Sequence, residues 1–505
     1  MLPPGACLRD GPPMMARIRE LLAPGLAHLR QMQVWVPLLI GAGLLVGLSY
    51  TALNLSWLVP MGMLAGVFGT LFFFSRPELV LLMFFVARIW LDMLWWIPGR
   101  IAGLNLLAAF TGGATLLSGL LFALEFRRIE RHPNLNAFLV FAGVLFLSAI
   151  RNLNAAIAVE LMARFISPPL LMFLVGAFLT RHRDAVRLMM FLYWACFVAL
   201  MVSMYYLVTN QLIHFDGYRR LLGAYKNLRH HGMMMMLMAS IAVFWFYRFP
   251  QQRMKIFTVG YIGAAAVCMY MTYIRTSLLA FVAFVAAFLY VTRRRQELSV
   301  AIAVGVLGIL LSPEIQDRFK DLILVFTIDE DLFLQSRKLG SGRIGLWTDS
   351  FKEYLQQPLG DIVLGLGLGG HWKLTQAAYN PFIVVQGGQV DTHSDYLGLL
   401  YQLGPIALFA YLYMQFKVFI YGFSLARDAQ ADSFSRDLGG LAAALAIGVL
   451  VTNVVSNGFI NRTTLGWLFW GIGGLMFATH ARHHAALAEK TSGATPLHPK
   501  QAVET

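Results

Sequence analysis

Apolar blocks close to the length of a bilayer crossing recur from about residue 34 to about residue 479, separated by short segments that hold most of the charge. A helix needs on the order of 20 apolar residues to cross the hydrocarbon core. In lipid the backbone polar groups must be satisfied within the chain, which a helix does by itself. The blocks predict spans near 34–52, 57–75, 78–98, 102–124, 136–150, 160–179, 186–208, 232–247, 256–273, 276–292, 298–311, 395–418, 438–456 and 464–479. The expected fold class is an all-α polytopic membrane protein of about 12–14 transmembrane helices, with a small helical loop domain outside the cytoplasm. Composition agrees, since 58% of the residues are hydrophobic and 13% charged, whereas a soluble domain carries about a quarter charged residues.

The net charge of +14 could suggest nucleic acid, but its placement points to a membrane. Arg17, Arg19 and Arg30 precede the first span; Arg127, Arg128 and Arg131 follow the fourth, and Arg181, Arg183 and Arg187 the sixth. Arg248, Arg253 and Lys255 follow the eighth, and Arg293, Arg294 and Arg295 the tenth. If every span crosses once, all five clusters fall on one side, and the positive-inside bias makes that side cytoplasmic. The expected organisation is a cytoplasmic tail over 1–33, a bundle over 34–311, an external loop over 312–392, further spans over 393–479 and a disordered cytoplasmic tail over 480–505. The first apolar run begins near Trp35 with another close behind it, so no cleavable signal peptide is expected. Cys7, Cys196 and Cys268 are scattered, with neither disulfide-framework nor metal-ligand spacing.

The long loop carries helical signals. Ser312–Pro313 suits a helix start, and a second helix is expected after Ser341, where Ile344, Trp347, Phe351 and Tyr354 recur at helical spacing. Pro358 and the run Gly365, Gly367, Gly369 and Gly370 end it and force turns.

An external face should be poor in cations, yet the external segments hold Arg219, Arg220, Arg229, Arg275, Arg318, Arg337 and Arg343. Such arginines can hold lipid headgroups or pair with Asp317, Asp321 and Asp329. Arg275 interrupts a long apolar run, where a charge is costly and by default functional. With Arg220 it could bind a diphosphate, because guanidinium groups match phosphate oxygens in a fork. His393 lies in "DTHSDYL", where the loop meets a span. A helix N-terminus there would favour an anion and the neutral imidazole, which can accept a proton; a histidine making only a helix-end contact is the alternative. Asp329-Glu330-Asp331 has an Asp-x-Asp pattern but reads as a polar surface, and no metal is assigned. His230, His231 and the run Met233–Met236 could suggest copper, but consecutive methionines cannot share a helix face, so they read as packing and lipid-facing residues.

Four segments taken together resemble the O-antigen ligase and O-antigen polymerase superfamily. They are "RLLGAYKN" (Arg220, Gly223, Tyr225, Asn227), "YIRTSLLA" around Arg275, "SGRIGLW…P…GLGLGG" (Gly342, Arg343, Trp347, Pro358, Gly365, Gly367) and "THSDYLGLLYQLGPIALF" (His393, Asp395, Tyr396, Leu397, Gly404). Their order and membrane side fit over roughly residues 215–415. Ser394 stands where the family more often has Asn, Leu228-Arg229 replaces the usual Pro-Asn, and Ile274 stands where Ser often precedes the arginine. The resemblance implies a multi-pass enzyme of the bacterial inner membrane whose site faces the periplasm. It would transfer a glycan from a polyprenyl-diphosphate carrier to an acceptor hydroxyl without metal or cofactor. His393 would be the catalytic base and Arg220 and Arg275 the diphosphate ligands, with Arg219, Arg343, Asp395 and Tyr396 in support. A ligase would use lipid A–core or a similar acceptor, and a polymerase a second lipid-linked glycan. The partners expected are thus donor, acceptor and membrane lipids, with no nucleic acid. A transporter or flippase for lipid-linked glycans is the reading from another class; it predicts charges within spans and two related halves.

The charge pattern makes a topological prediction. Reporter fusions at Gln335 and at the C-terminus should give opposite compartment signals, and a cytoplasmic signal from both would refute the orientation.

Overall fold

The computed structural model describes residues 76–94, 100–101, 104–151, 155–215, 218–225, 227–311, 316, 343–378, 392–460 and 462–491. The expected spans at 34–52 and 57–75, the Ser312–Pro313 helix start and Asp329–Asp331 lie outside the described residues. The helices are α1 (Pro77–Met93), α2 (Leu106–Leu124), the short α3 (Phe126–Ile129), α4 (Leu135–Ile150), α5 (Ala155–Phe178), α6 (His182–Val208), α7 (Leu228–Arg248) and α8 (Gln252–Met271). They continue as α9 (Arg275–Val291), α10 (Arg295–Leu311), α11 (Arg343–Leu355), α12 (Leu359–Leu364), α13 (His371–Ala378), α14 (Asp395–Arg427), α15 (Ser433–Val455) and α16 (Thr463–Thr491). Two small antiparallel hairpins complete the described elements: β1 (Arg100–Ile101) with β2 (Leu104–Asn105), and β3 (Ile213–Phe215) with β4 (Tyr218–Arg220). Five of the described helices are long and apolar enough to cross a membrane, at Ala158–Phe178, His182–Val208, Gln252–Met271, Asp395–Arg427 and Ser433–Val455. The chain is an all-α polytopic membrane protein.

Short links make successive helices antiparallel, so the bundle has two distinct ends. At one end Arg294 Nη2 donates to Asp437 Oδ1 at 2.7 Å, Arg248 Nη1 to Ser433 Oγ at 2.7 Å and Arg482 Nη1 to the Thr180 carbonyl at 2.8 Å. The described basic clusters gather at this end. At the other, α11, α12 and α13 form a small loop domain against the first part of α14 and the ends of α4 and α15. The helices approach closely where side chains are small: a Cβ on Gly422 of α14 would lie 2.7 Å from the Gly439 carbonyl of α15. Small residues permit this contact between membrane helices.

Three sequence expectations are corrected. Met233, Met234, Met235 and Met236 are each 0% exposed, so none faces lipid: α7 is enclosed by α6, α8, α9 and α15. Flexible thioethers suit irregular interior gaps on all sides of such a helix. The segment after His480 is not disordered up to Thr491; it continues α16. Its Ala, Leu, Glu and Lys are strong helix formers, and His483 Nε2 meets Asp428 Oδ2 at 2.8 Å. The buried side of α11 is also rotated from the expected stripe. Leu346, Ser350 and Tyr354 are buried and Phe351 is 40% exposed.

The loop domain is held on the bundle by a break in α14. Gly404 has φ 74 and ψ 176, a region essentially reserved for glycine, and Pro405 brings no N–H. The Tyr401 carbonyl, which residue 405 would otherwise serve, accepts from Leu366 N at 2.8 Å. The Gln402 carbonyl accepts from Gly367 N at 3.2 Å and from Ser148 Oγ at 3.1 Å, and Gln402 Oε1 from Gly369 N at 2.9 Å. A glycine-rich loop thus takes up the carbonyls the helix releases. Tyr354 closes the join by donating to the Ile362 carbonyl at 2.5 Å. Arg151 adds an ion pair to Asp361 and a hydrogen bond of 2.8 Å to the Gly365 carbonyl.

A Cβ at position 404 would fall 2.1 Å from the Val363 carbonyl, whereas one at Gly260 in α8 meets nothing within 4 Å. Gly404→Ala should therefore destabilise the protein by about 1–3 kcal/mol from backbone strain alone. Thermal denaturation in detergent should show a clear fall for Gly404→Ala and none for Gly260→Ala; equal behaviour would refute this account of the join.

Candidate active site

The loop-domain end gathers helix N-termini and arginines. Asn227 caps α7 by accepting from Arg229 N at 2.9 Å and His230 N at 3.3 Å. Arg229 is in the first turn of α7, and Arg275 and Arg343 begin α9 and α11. The first turn of a helix is the unfavourable end for a cation and the favourable end for an anion. Three arginines thus sit at helix starts, ends that favour an anion.

Arg220 reaches the same end from the β3–β4 hairpin. Leu221 N donates to the Met271 carbonyl at 2.9 Å, tying the hairpin to the end of α8. The Arg220 guanidinium carbon lies 5.9 Å from the centre of the Tyr273 ring. Tyr273 has φ 59 and makes the tight turn that delivers Arg275. Arg219, the adjacent strand residue, points to the opposite face and donates to Asn210 Oδ1 at 2.8 Å on the surface. Arg343 donates to the Val455 carbonyl at 2.6 Å. Burial first, and then the neighbouring charge of Arg275, hold the Arg343 guanidinium below its ordinary pKa. Arg275 and Arg343 therefore share one electrostatic neighbourhood, and an anion between them would relieve their repulsion.

His393 stands in a left-handed turn, φ 55, just ahead of α14. Thr392 Oγ1 donates to the Ser394 carbonyl at 2.7 Å, Ser394 Oγ to the Asn453 carbonyl at 3.1 Å, and Trp347 of α11 to the Thr392 carbonyl at 2.6 Å. Asp395 is buried, and its Oδ2 accepts from Gly458 N at 2.7 Å and Ile460 N at 3.0 Å, clamping the α15–α16 loop to the histidine turn. Tyr396 points into the bundle and donates to Gln415 Oε1 at 2.7 Å. The His393 ring itself meets Arg229: Nη1 lies 2.7 Å from Nδ1. A guanidinium can only donate. Nδ1 is therefore the acceptor, and the neutral ring carries its proton on Nε2.

The structure thus brings Arg220, Arg275, Arg343 and His393 to one corner, leaves Arg219 outside it, and gives Asp395 and Tyr396 structural contacts. Sequence reasoning gave Arg229 only the general reading of the external arginines and did not relate it to His393, which is distant in sequence. It also passed over a buried network just beneath the corner. Arg88 Nη2 lies 3.5 Å from Asp92 Oδ1, Arg88 Nε donates to Thr464 Oγ1 at 2.8 Å, and His230 Nε2 lies 3.4 Å from Asp92 Oδ2. Two opposite charges four residues apart within an apolar span were the available signal. Polar atoms without a hydrogen-bond partner also collect here, on Tyr225, His231, Ser456 and Asn457. Buried polar groups are normally paired, so this corner is chemically suited to a polar ligand. An apolar cavity of about 620 Å³ lies beside it between α1 and α6, lined by Met93, Leu94, Phe197, Met201, Tyr205 and Ala224.

Residues 260–412 match the family model of the O-antigen ligases. Over this stretch the chain is similar to the O-antigen ligases. Arg275, Arg343, His393, Asp395 and Tyr396 lie inside the matched stretch, and Arg219 and Arg220 precede it. No curated protein matches the chain. Within the matched stretch, the clamp by Asp395 generates its own prediction. Asp395→Ala would leave two buried N–H groups unpaired, at about 1–3 kcal/mol each. A marked fall in thermal stability should result, measured in detergent; an unchanged melting temperature would mean that Asp395 does not hold the loop.

Proposed function

We propose that the protein is a ligase that transfers a glycan from a polyprenyl-diphosphate carrier to the hydroxyl of a different acceptor, such as lipid A–core, at the periplasmic face of the inner membrane. The observation that carries the reading is the convergence of Arg220, Arg275 and Arg343 with His393 at one end of the bundle. In the reaction the bond between the anomeric carbon and the diphosphate oxygen breaks, and one forms to the acceptor oxygen. Negative charge grows on the departing diphosphate, and pre-placed guanidinium groups stabilise it where it develops. The hydroxyl proton goes to a base, and His393 is the neutral imidazole at hand. Its Nδ1 is the atom that can take the proton, because Nε2 already holds one. The cavity between α1 and α6 suits the isoprenoid tail: it is apolar, and Ala224 on its wall is four residues from Arg220.

The test is transfer by purified protein in membranes from a lipid-linked glycan. Arg220→Ala and Arg275→Ala should each lose about 10²-fold or more in turnover, with Lys restoring only part because it lacks the fork. His393→Gln keeps a hydrogen-bond acceptor for Arg229 but cannot take a proton at neutral pH, and should lose about 10²–10⁴-fold. Near-native transfer by all three variants would refute the mechanism. Extension of a second lipid-linked glycan in place of a lipid A–core acceptor would make the protein a polymerase.

A further inference from the structure

The contact that fixes the tautomer of His393 also blocks it. The lone pair on Nδ1 is the ring's only acceptor, and the Arg229 guanidinium occupies it at 2.7 Å. While that bond stands, the imidazole cannot take a proton from any hydroxyl. We propose that Arg229 masks the base before a donor binds and leaves it for the diphosphate of the incoming donor, so that proton acceptance becomes available only with donor bound. The inference rests on the proposed glycosyl transfer and deepens it by adding a further diphosphate ligand and an order of binding, donor before acceptor.

The two partners differ in what can move. The His393 turn is fixed at three backbone carbonyls, those of Thr392, Ser394 and Asn453, each bound to a side chain. The Arg229 backbone is tied by Asn227, and its guanidinium sits at the end of a long unbranched arm. The exchange also favours departure. A bond from guanidinium to phosphate is charge-assisted on both sides and can be bidentate, roughly twice as strong as one to a neutral acceptor. The phosphate has reason to arrive within reach, because Arg220, Arg275 and Arg343 occupy the same end of the bundle, as do the starts of α7 and α14. Once Arg229 turns to the phosphate, Nδ1 is open, and an acceptor hydroxyl can donate to it. As the glycan transfers, the proton passes to Nδ1, the sugar–phosphate bond breaks, and the polyprenyl diphosphate leaves held by the arginines.

Diethyl pyrocarbonate acylates an imidazole at a nitrogen lone pair, so its rate at His393 reads the mask without turnover. The full chain in lipid nanodiscs is labelled with and without inorganic pyrophosphate, and modification of His393 is followed by peptide mass spectrometry. In the native protein His393 should label slowly, and pyrophosphate should speed it by about tenfold, the scale of one lost charge-assisted hydrogen bond. Arg229→Ala should label fast in both conditions. Should that variant fold poorly, the native protein with and without pyrophosphate still decides. A native His393 whose rate is unchanged or slowed by pyrophosphate overturns the proposal, as does a well-folded Arg229→Ala with the native basal rate. The parent reading fails separately. A pyrophosphate-responsive His393 together with full transfer by His393→Gln would remove the base and leave the mask. An unresponsive His393 with an inactive Gln variant would remove the mask and leave the base.

Discussion

The break at Gly404 and Pro405 is the constraint on which the loop-domain end depends. A membrane helix cannot leave carbonyls unpaired in an apolar surrounding, and an interrupted helix must find donors for them elsewhere. Here they come from the backbone of Leu366 and Gly367. The same junction brings in Ser148 from α4 and Tyr354 through its bond to Ile362. The loop domain is therefore docked by main-chain hydrogen bonds, which fix register more strictly than apolar contact would. Strict register matters because α11 carries two site contacts on one face, Arg343 to Val455 and Trp347 to Thr392. A slip of the loop domain would move both.

A second consequence concerns charge. Arginines at the first turns of α7, α9 and α11 stand against the helix field, and burial first, then the charge of Arg275, lowers the affinity of Arg343 for its own proton. A fold does not gain stability from such an arrangement. Its components are nevertheless held firmly, by Asn227 on α7, by the Tyr273 turn before α9 and by the Val455 carbonyl under Arg343. Repulsion maintained by specific contacts is what a site for a multiply charged anion requires, because the anion's arrival converts it into attraction.

The sequence made the bundle legible and the site only in part. Span positions followed from the length of apolar blocks, and helix alternation placed Arg220, Arg275, Arg343 and His393 at one end. What periodicity could not supply was depth and contact. The methionines of α7 have no face that distinguishes lipid from interior; only enclosure by four other helices does. The extension of α16 to Thr491 rests on helix formers whose polarity resembles that of a solvated tail. Arg229 and His393 are 164 positions apart, and no local pattern relates them. The mutual placement of Asp395 with Gly458 and Ile460 is likewise a product of packing.

The departure of this chain from the pattern it resembles bears on the contact between Arg229 and His393. Where the resemblance has Pro-Asn after Asn227, this sequence has Leu228-Arg229, and the substituted residue is the one that touches His393. An asparagine at that position would have a shorter side chain and no fixed charge, and its amide could either donate or accept. Arginine can only donate, so here the neighbour makes Nδ1 the acceptor nitrogen and leaves the ring proton on Nε2. The position that weakens the sequence resemblance is thus the one that most changes the chemistry of the histidine, and a mechanism for this chain has to be written on its own residues.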